Sequence, residues 1–285
     1  MKDNFPKVHF GTYKLADENC HDAVLQACLV GYAAVDTATA YRNEAIVSKA
    51  IVESGEPIYL TTKIAPAETG YENCLAAFES SLTRLQRDSV DLLLLHWPGK
   101  SQLLPDSNLH RPSRIQTWRD FETIYKQRKA KAIGVSNFTI AHIEQLVEDG
   151  AAIMPMVNQV ELHVCLMQKP LKQYCSNKGI ILQSYSPLGG GGSPVLQIIS
   201  KAIQDNRKLI PESSALINKE PFEIALRAAL KLSDSVVVKS GQRLRISENL
   251  SALTDQTWDL SDYDMEFLSR LDTGTHFCWN PETIA

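Results

Sequence analysis

Four side chains of the sequence could together deliver a proton to a carbonyl oxygen. Asp36, Lys63 and His96 each come at the end of a short apolar run, and Tyr41 follows five residues after Asp36. A tyrosine hydroxyl has a pKa of about 10, which is high for a proton donor near neutral pH. An ammonium beside the phenol would favour the phenolate and lower that pKa, and a carboxylate would hold the ammonium in place. A neutral histidine could hydrogen-bond the carbonyl oxygen and orient it.

Each of these side chains also has a simpler interpretation on its own. Asp36 and Lys63 could form a structural ion pair, because charges near an apolar interior are costly unless they are paired. His96 could be a hydrogen-bonded core histidine, and Tyr41 could be an ordinary loop aromatic. The combination is more informative than its members, since all of them contribute to one acid site.

Eight short, mostly apolar runs are expected to carry these side chains, and helical stretches separate them. Continuous apolar runs are typical of parallel strands that are covered on both faces. The predicted strands are Val8–Thr12, Tyr32–Asp36, Ile58–Lys63, Val90–His96, Ala132–Ser136, Met156–Glu161, Gly179–Tyr185 and Val236–Lys239. Eight strands alternating with helices predict an α/β fold, a closed (β/α)8 TIM barrel that forms a single domain over residues 1–285.

Four helices are predicted from apolar spacings of three and four residues and from their end signals. They are Tyr71–Leu85, Ala141–Val147, Pro221–Leu232 and a last helix that begins after Ser261. In the first helix, the residues expected on the apolar face are Leu75, Phe78, Leu82 and Leu85.

An open, doubly wound sheet is the main alternative to the barrel. Such a sheet usually binds a nucleotide at a G-x-G-x-x-G motif after its first strand, and the segment Gly11-Thr12-Tyr13-Lys14 does not match that motif. The run Gly189–Gly192 lacks a following Gly-Lys-Ser/Thr, so it predicts a flexible loop rather than a phosphate-binding loop.

The C-terminal ends of the predicted strands are polar, and in a β/α barrel these ends share one mouth where functional groups gather. Their sequences resemble the aldo-keto reductase family, and within it the branch of diketogluconate reductases and prostaglandin F synthases. The matching segments are DTATAYRNE at 36–44, TK at 62–63, LLHWP at 94–98, GVSNF at 134–138, NQVE at 158–161, YSPLG at 185–189 and KS at 239–240. The resemblance implies a β/α barrel that uses NADPH, without a Rossmann domain, to reduce aldehydes or ketones to alcohols.

The resemblance also implies roles for individual residues. Tyr41 would be the general acid, with Lys63 and Asp36 tuning it. His96 would orient the substrate carbonyl. The expected cofactor contacts are Gly11, Thr12, Ser136, Asn137, Gln159, Tyr185, Ser186, Leu188, Lys239, Ser240, Arg245, Glu248 and Asn249.

Four of these cofactor contacts would surround the nicotinamide. By the same resemblance, Ser136, Asn137 and Gln159 would hold its carboxamide group. Tyr185 would stack on its ring.

Basic residues after the last predicted strand bear on the choice of cofactor. Lys239 and Arg245 are close in sequence, and two cations could clamp the 2′-phosphate of NADPH. Charged side chains of this kind are usually solvated in surface loops, and Arg243 is expected to be one of these. The resemblance places Glu248 and Asn249 near the adenine. The cluster predicts a preference for NADPH over NADH.

Three aromatic residues are expected to line the substrate pocket: Tyr13, Trp97 and Trp279. Such walls would favour aromatic or aliphatic carbonyls over highly charged sugars, and simple core packing is the alternative role for these rings. Tyr13 stands where the family usually has tryptophan, and Val238 stands where a proline is common. The short segment before the first strand predicts a reduced or absent N-terminal hairpin. These differences bear on the choice of substrate rather than on the reaction.

Composition argues against several other classes. A net charge of −4 without a dense basic stripe argues against a nucleic-acid partner. No segment approaches the roughly 20 apolar residues that span a membrane, and the start has no signal-peptide core, so a cytoplasmic protein is expected. Six cysteines without a C-x-x-C pair predict free, buried thiols. The seven histidines form no H-E-x-x-H or H-x-H arrangement, which argues against a metal-dependent hydrolase and any metal site.

Two functional hypotheses follow. The first is an NADPH-dependent reductase of small carbonyl compounds, expected from the resemblance to be a monomer. The second is a barrel that binds NADPH as a redox-sensing or regulatory subunit with little turnover, since a fold alone does not fix a function. The presence of both Tyr41 and His96 favours the enzyme, because a pure binding module has no need of them.

Overall fold

Eight parallel strands close into a barrel in chain order, and the last strand pairs with the first. The structure is a computed structural model that describes residues 4–70 and 73–285. The strands are β1 (Val8–Gly11), β2 (Ala34–Asp36), β3 (Tyr59–Ile64), β4 (Leu92–Leu95), β5 (Ile133–Ser136), β6 (Val157–Glu161), β7 (Ile181–Tyr185) and β8 (Ser235–Val238). The predicted (β/α)8 barrel is confirmed.

Helices connect the strands and cover the barrel. They are α1 (Asp17–Leu29), α2 (Glu44–Ser54), α3 (Asn73–Leu85), α4 (His110–Lys126), α5 (Ile140–Glu148), α6 (Lys169–Lys178), α7 (Pro194–Asp205), α8 (Ala215–Asn218), α9 (Pro221–Leu232), α10 (Arg243–Thr254) and α11 (Asp262–Ser269). Helix α9 has the predicted bounds, and α11 begins as predicted, with Ser261 Oγ accepting a hydrogen bond from the Asp264 amide. Within the described ranges, no helix is long and apolar enough to cross a membrane.

One predicted helix face is partly wrong. Leu75 of α3 is 40% exposed, and its neighbour Cys74 is fully buried instead. The buried stripe of α3 therefore starts one residue earlier than predicted and continues through Phe78. Tyr71 and Glu72, which begin the predicted helix, lie outside the described residues.

Strands β2 and β7 begin later than predicted, because the residues predicted to start them make contacts outside the sheet or end a helix. Tyr32 packs its ring edge-on against Phe10, with 5.4 Å between centroids, and its hydroxyl donates to the carbonyl of Ile246. Gly179 ends α6 in the left-handed region at φ 71°, which glycine tolerates without strain. Thr12 and His96 follow their strands directly, and their amides still bond to the neighbouring strand at 3.0 and 3.1 Å.

Apolar side chains fill the layer between strands and helices as well as the floor of the barrel. The floor cluster consists of Phe5, Leu92, Leu94, Ala132, Val157 and Ile181. A Cβ on Gly134 would lie 2.5 Å from the carbonyl oxygen of Val157, so only glycine fits beside that strand.

The segment before β1 contributes to this floor. Among the described residues 4–7 there is no strand. The Phe5 ring lies 5.1 Å from that of His9 and 5.6 Å from that of Tyr59.

The predicted burial of the cysteines is confirmed at five positions: Cys20, Cys28, Cys74, Cys165 and Cys175. Cys278 is partly exposed.

Candidate active site

Tyr41 lies in a short loop that hydrogen bonds fix above the end of β2. The Thr37 hydroxyl donates to Asn43 Oδ1 at 2.9 Å. Asn43 Nδ2 in turn donates to the carbonyl oxygens of Thr12 and Leu15, at 2.9 and 3.0 Å. The loop is therefore tied to the end of β1, and the phenol has a defined position beside the strand ends.

A fully buried charge pair lies next to this phenol. The ammonium of Lys63 donates to Asp36 Oδ1, to the Thr37 carbonyl at 3.0 Å and to the Tyr41 hydroxyl at 3.4 Å. Asp36 Oδ2 accepts a hydrogen bond from Gln159 Nε2 at 2.8 Å. Since β2 and β6 are not neighbours in the barrel, this last bond crosses its interior. The two charges thus satisfy each other and have further polar partners, as burial requires.

The pKa of Tyr41 differs in direction from the sequence-based expectation. Burial, followed by the negative charge of Asp36, raises the pKa of the Tyr41 hydroxyl well above 10. Burial lowers the pKa of Lys63, and the Asp36 carboxylate opposes that shift. The expectation that Lys63 lowers the pKa of Tyr41 is wrong. The negative charge of Asp36 offsets that of the ammonium, so the desolvation of the phenol decides the direction of the shift.

His96 also lies beside the phenol. Its ring centroid is 5.5 Å from that of Tyr41, with the planes at 74°. Burial, assisted by the positive charge of Lys63, lowers the pKa of His96 to about 3. The imidazole is therefore neutral at physiological pH, and its buried Nδ1 has no hydrogen-bond partner among the described residues.

The residues expected around the nicotinamide form one hydrogen-bonded group. Asn137 Nδ2 donates to the His96 carbonyl and to Ser136 Oγ, each at 3.0 Å. The Tyr185 hydroxyl donates to Asn137 Oδ1 at 2.7 Å, and the Ser136 hydroxyl donates to the Gln159 carbonyl at 2.9 Å. The barrel thus brings all four together with His96.

A polar cavity of about 370 Å³ lies beyond β8. Its lining residues are Asn19, Lys239, Ser240, Gly241, Gln242 and Arg245. Helix α10 begins at Arg243, and no side chain caps its N-terminus. Two cations beside free helical amides suit a phosphate group. A Cβ on Gly241 would lie 3.0 Å from Asn19 Nδ2 and would narrow this cavity.

Other expected cofactor residues lie outside the lining of this cavity. Glu248 and Asn249 do not line the cavity, and Asn249 is buried in α10. Arg243, assigned to solvent, also lies outside the lining. Gly11 and Thr12 are buried at the end of β1, where Thr12 Oγ1 donates to the Asp36 carbonyl at 3.1 Å.

The loop after β7 contains the last two of these residues, Ser186 and Leu188. Ser186 has φ 50°, and Leu188 packs against the core. Gly190 and Gly192 follow with φ of 76° and 77°, a region that glycine adopts without strain.

Aromatic rings border the site on two sides. Tyr13, 54% exposed, has its ring centroid 5.1 Å from that of Tyr41. Trp97 and Trp279 meet edge to face at 6.1 Å, and Trp279 is 79% exposed. The three aromatic residues therefore lie at the rim rather than in the core.

Glu161 holds the segment that carries Trp279, a role that the sequence did not indicate. The Glu161 carboxylate accepts hydrogen bonds from the amides of Phe277 and Cys278, at 2.8 and 3.1 Å, and lies 3.1 Å from His276 Nδ1. The sequence feature that could have indicated this role is a carboxylate at the end of the NQVE segment. It has no lysine or arginine next to it in the sequence, so its partners had to come from elsewhere in the chain.

In the described part of the chain, no group of three or more histidine, cysteine, aspartate and glutamate side chains could hold a metal ion.

Comparison with known proteins gives this arrangement a family. The model of the Aldo/keto reductase family matches residues 7–272. The chain belongs to the aldo-keto reductase family. The resemblance drawn from the strand-end segments is therefore confirmed, and membership identifies an oxidoreductase of carbonyl compounds.

Relatives of this aldo-keto reductase span nearly its whole length. A glyoxal reductase of Bacillus subtilis is 37% identical over 98% of this chain and 93% of its own. A 9,11-endoperoxide prostaglandin H2 reductase of Trypanosoma cruzi is 33% identical over 98% of this chain and 92% of its own.

Solved structures of similar proteins share the fold. MGS-M4, an aldo-keto reductase enzyme from a Medee basin deep-sea metagenome library, superimposes with a TM-score of 0.82 at 34% identity, covering 96% of this chain and 95% of its own. A variant of Gox0644 in complex with NADPH gives a TM-score of 0.82 at 29% identity, covering 99% and 95%.

Proposed function

We propose that the protein reduces small aldehydes and ketones to alcohols with NADPH, and that Tyr41 is the general acid. The observation that carries this proposal is the position of the Tyr41 hydroxyl, 3.4 Å from the ammonium of the buried Lys63–Asp36 pair. The neutral His96 beside the phenol completes a site for one polarised oxygen atom.

The donor groups of the mouth fit NADPH in type and position. Lys239, Arg245 and the N-terminal amides of α10 would hold the 2′-phosphate. Ser136, Asn137 and Gln159 would hold the nicotinamide carboxamide. The similar Gox0644 variant is solved in complex with NADPH, which supports NADPH as the cofactor.

Tyr185 and the loop after it would cover the rest of the cofactor. The Tyr185 ring would stack on the nicotinamide, and the loop with Ser186, Leu188 and Gly189–Gly192 would close over it. When bound, NADPH supplies a hydride to the carbonyl carbon. The residues of this site all belong to one barrel, which supports a protein that acts as a single domain.

Side chains of the protein would orient the carbonyl oxygen of the substrate and supply its proton. The neutral His96 would hydrogen-bond the carbonyl oxygen and orient it toward Tyr41. Tyr41, with its raised pKa, keeps its proton until negative charge develops on that oxygen, because an alkoxide is more basic than a phenolate. Lys63 then stabilises the phenolate, and Asp36 keeps the ammonium in place.

The test is a spectrophotometric assay of NADPH oxidation with a panel of aromatic, aliphatic and sugar-derived aldehydes and ketones. Carbonyl-dependent oxidation is expected, and Tyr41→Phe should reduce kcat at least about 100-fold, the usual contribution of a positioned general acid. Tyr263→Phe removes a hydroxyl that donates to the Leu209 carbonyl and is not part of the site, so it serves as the matched control, with kcat retained.

Two results would contradict the proposal. Near wild-type turnover by a folded Tyr41→Phe variant would exclude Tyr41 as the acid. Tight NADPH binding without turnover of any carbonyl would favour a redox-sensing or regulatory barrel.

A further inference from the structure

Three polar side chains form a row across the barrel interior beside the candidate site. Gln159 of β6, Gln183 of β7 and Ser235 of β8 occupy directly paired positions in the sheet. All three side chains are buried. Gln159 Nε2 donates to Gln183 Oε1 at 2.7 Å, and Gln183 Nε2 donates to Ser235 Oγ at 3.1 Å. Of the three, the proposed function uses only Gln159.

The direction of these hydrogen bonds is fixed at the Ser235 end. The Ser235 hydroxyl donates to the carbonyl oxygen of Pro6 at 2.8 Å, and a carbonyl oxygen can only accept. Because its one proton is used there, Ser235 Oγ must accept from the amide nitrogen of Gln183. Oε1 of Gln183 therefore faces Gln159.

The Asp36 end imposes the same direction. Asp36 Oδ2 accepts from Gln159 Nε2 at 2.8 Å, and an ionised carboxylate can only accept. Both hydrogens of the Gln159 amide are therefore engaged, one by Asp36 and one by Gln183. Oε1 of Gln159 accepts no hydrogen bond from the described residues and is not among their fully buried unpaired atoms. It is available to a ligand as an acceptor.

We propose that Gln183 is a positioning residue that locks the Gln159 amide, so that Gln159 Oε1 receives the amide hydrogen of the nicotinamide carboxamide. The inference rests on the proposed function and deepens it. It identifies Gln159 Oε1 as the acceptor that distinguishes a carboxamide from an acetyl group. Without Gln183, the Gln159 amide keeps only the bond to Asp36 and can rotate about it. A Gln159 side chain that rotates about this bond no longer holds Oε1 where the carboxamide hydrogen would lie, so the preference for the amide over an acetyl group weakens.

The test compares binding of NADPH with binding of its reduced 3-acetylpyridine analogue, in which a methyl group replaces the amide nitrogen. Fluorescence titrations without a carbonyl substrate measure both dissociation constants. The wild-type protein should bind NADPH about tenfold more tightly, because the analogue leaves a buried acceptor without its donor. In Gln183→Leu this ratio should fall below about threefold. Binding of adenosine 2′,5′-bisphosphate, which has no nicotinamide, should not change.

Matched variants separate positioning from general damage to the barrel. Thr61→Val alters another buried side chain, whose Oγ1 has no partner among the described residues, and should retain the ratio. Ser235→Ala removes the anchor of Gln183 without changing Gln183 itself. It should lower the ratio, and it provides the test if Gln183→Leu fails to fold.

The possible failures are distinguishable. A wild-type ratio in both Gln183→Leu and Ser235→Ala, or a wild-type protein that does not discriminate between the two cofactors, overturns the role of Gln183 and leaves the proposed function in place. A wild-type protein that binds neither NADPH nor adenosine 2′,5′-bisphosphate overturns the proposed function and this inference with it.

Discussion

The ammonium of Lys63 lies 3.4 Å from the hydroxyl of Tyr41 but is bonded more closely to the carboxylate of Asp36. The pair therefore presents little net charge to the phenol, and burial raises the pKa of Tyr41 instead of the ammonium lowering it. This suits a group that must hold its proton until the substrate oxygen becomes basic. Lys63 contributes mainly once the phenolate has formed, when it faces a full negative charge.

Removing one member of this buried pair should strongly destabilise the protein. Lys63→Met leaves the Asp36 carboxylate buried without its cation, and the free energy of unfolding should fall by about 3–5 kcal/mol. The double variant Lys63→Met/Asp36→Asn should recover part of that loss, since no uncompensated charge remains. Urea unfolding of the wild type, both single variants and the double variant measures the coupling. Additive losses would show that the pair is not coupled.

Stability should fall as the pH is lowered through the weakly acidic range. Burial, followed by the charge of Arg114, lowers the pKa of His142 from 6.5 to about 4. Above 6.5 the histidine is neutral in both states. Between the two values the unfolded chain binds a proton that the folded chain does not, so falling pH favours unfolding by up to about 1.4 kcal/mol per pH unit. Burial likewise lowers the pKa values of His9 and His96, to about 4 and about 3.

Urea unfolding at about pH 7.5 and about pH 5.5 measures this dependence. The wild type should be less stable at the lower pH, and His142→Gln should lose roughly the contribution of one proton from the slope. A slope identical in wild type and His142→Gln would show that this histidine is protonated equally in both states.

Selectivity for the 2′-phosphate should depend on Arg245 and not on Arg243. Arg245 lines the cavity beside Lys239, whereas Arg243 does not. Arg245→Ala should weaken NADPH binding by about tenfold or more, through loss of a charge-assisted hydrogen bond, and should leave NADH binding unchanged. Titrations of both cofactors check this, with Arg243→Ala as the control. Equal affinity for both cofactors in wild type and Arg245→Ala would contradict the assignment.

The Glu161 carboxylate should influence which carbonyls the site accepts. It holds the amides of Phe277 and Cys278, and these residues directly precede Trp279 at the rim. Glu161→Ala should raise KM for an aromatic aldehyde several-fold, about the value of one lost aromatic contact, with kcat for a short aliphatic aldehyde retained. Trp279→Ala should reproduce this pattern if the anchor acts through the indole. An unchanged KM in both variants would show that the segment does not contact the substrate.

Much of the fold and the acid site could be predicted from the sequence. Continuous apolar runs are a local property, and their order with intervening helices is enough to indicate a closed parallel barrel. Asp36, Lys63 and His96 each follow such a run, and the C-terminal ends of parallel strands meet at one mouth, so their proximity follows from the fold class. The sequence predicted the buried faces of single helices less well. Leu75 and Cys74 of α3 are adjacent apolar residues, and only packing decides which of them is buried.

The tertiary structure decided what depends on closure and burial. The bond from Gln159 to Asp36 joins strands that are not neighbours, so it exists only because the barrel closes with this register. The row through Gln183 follows from the same register. The sequence alone shows a glutamine within an apolar strand and does not indicate which side chains it bonds. The direction of the Tyr41 pKa shift also required the structure. Desolvation depends on every atom around the hydroxyl, and these atoms come from parts of the chain that only folding brings together.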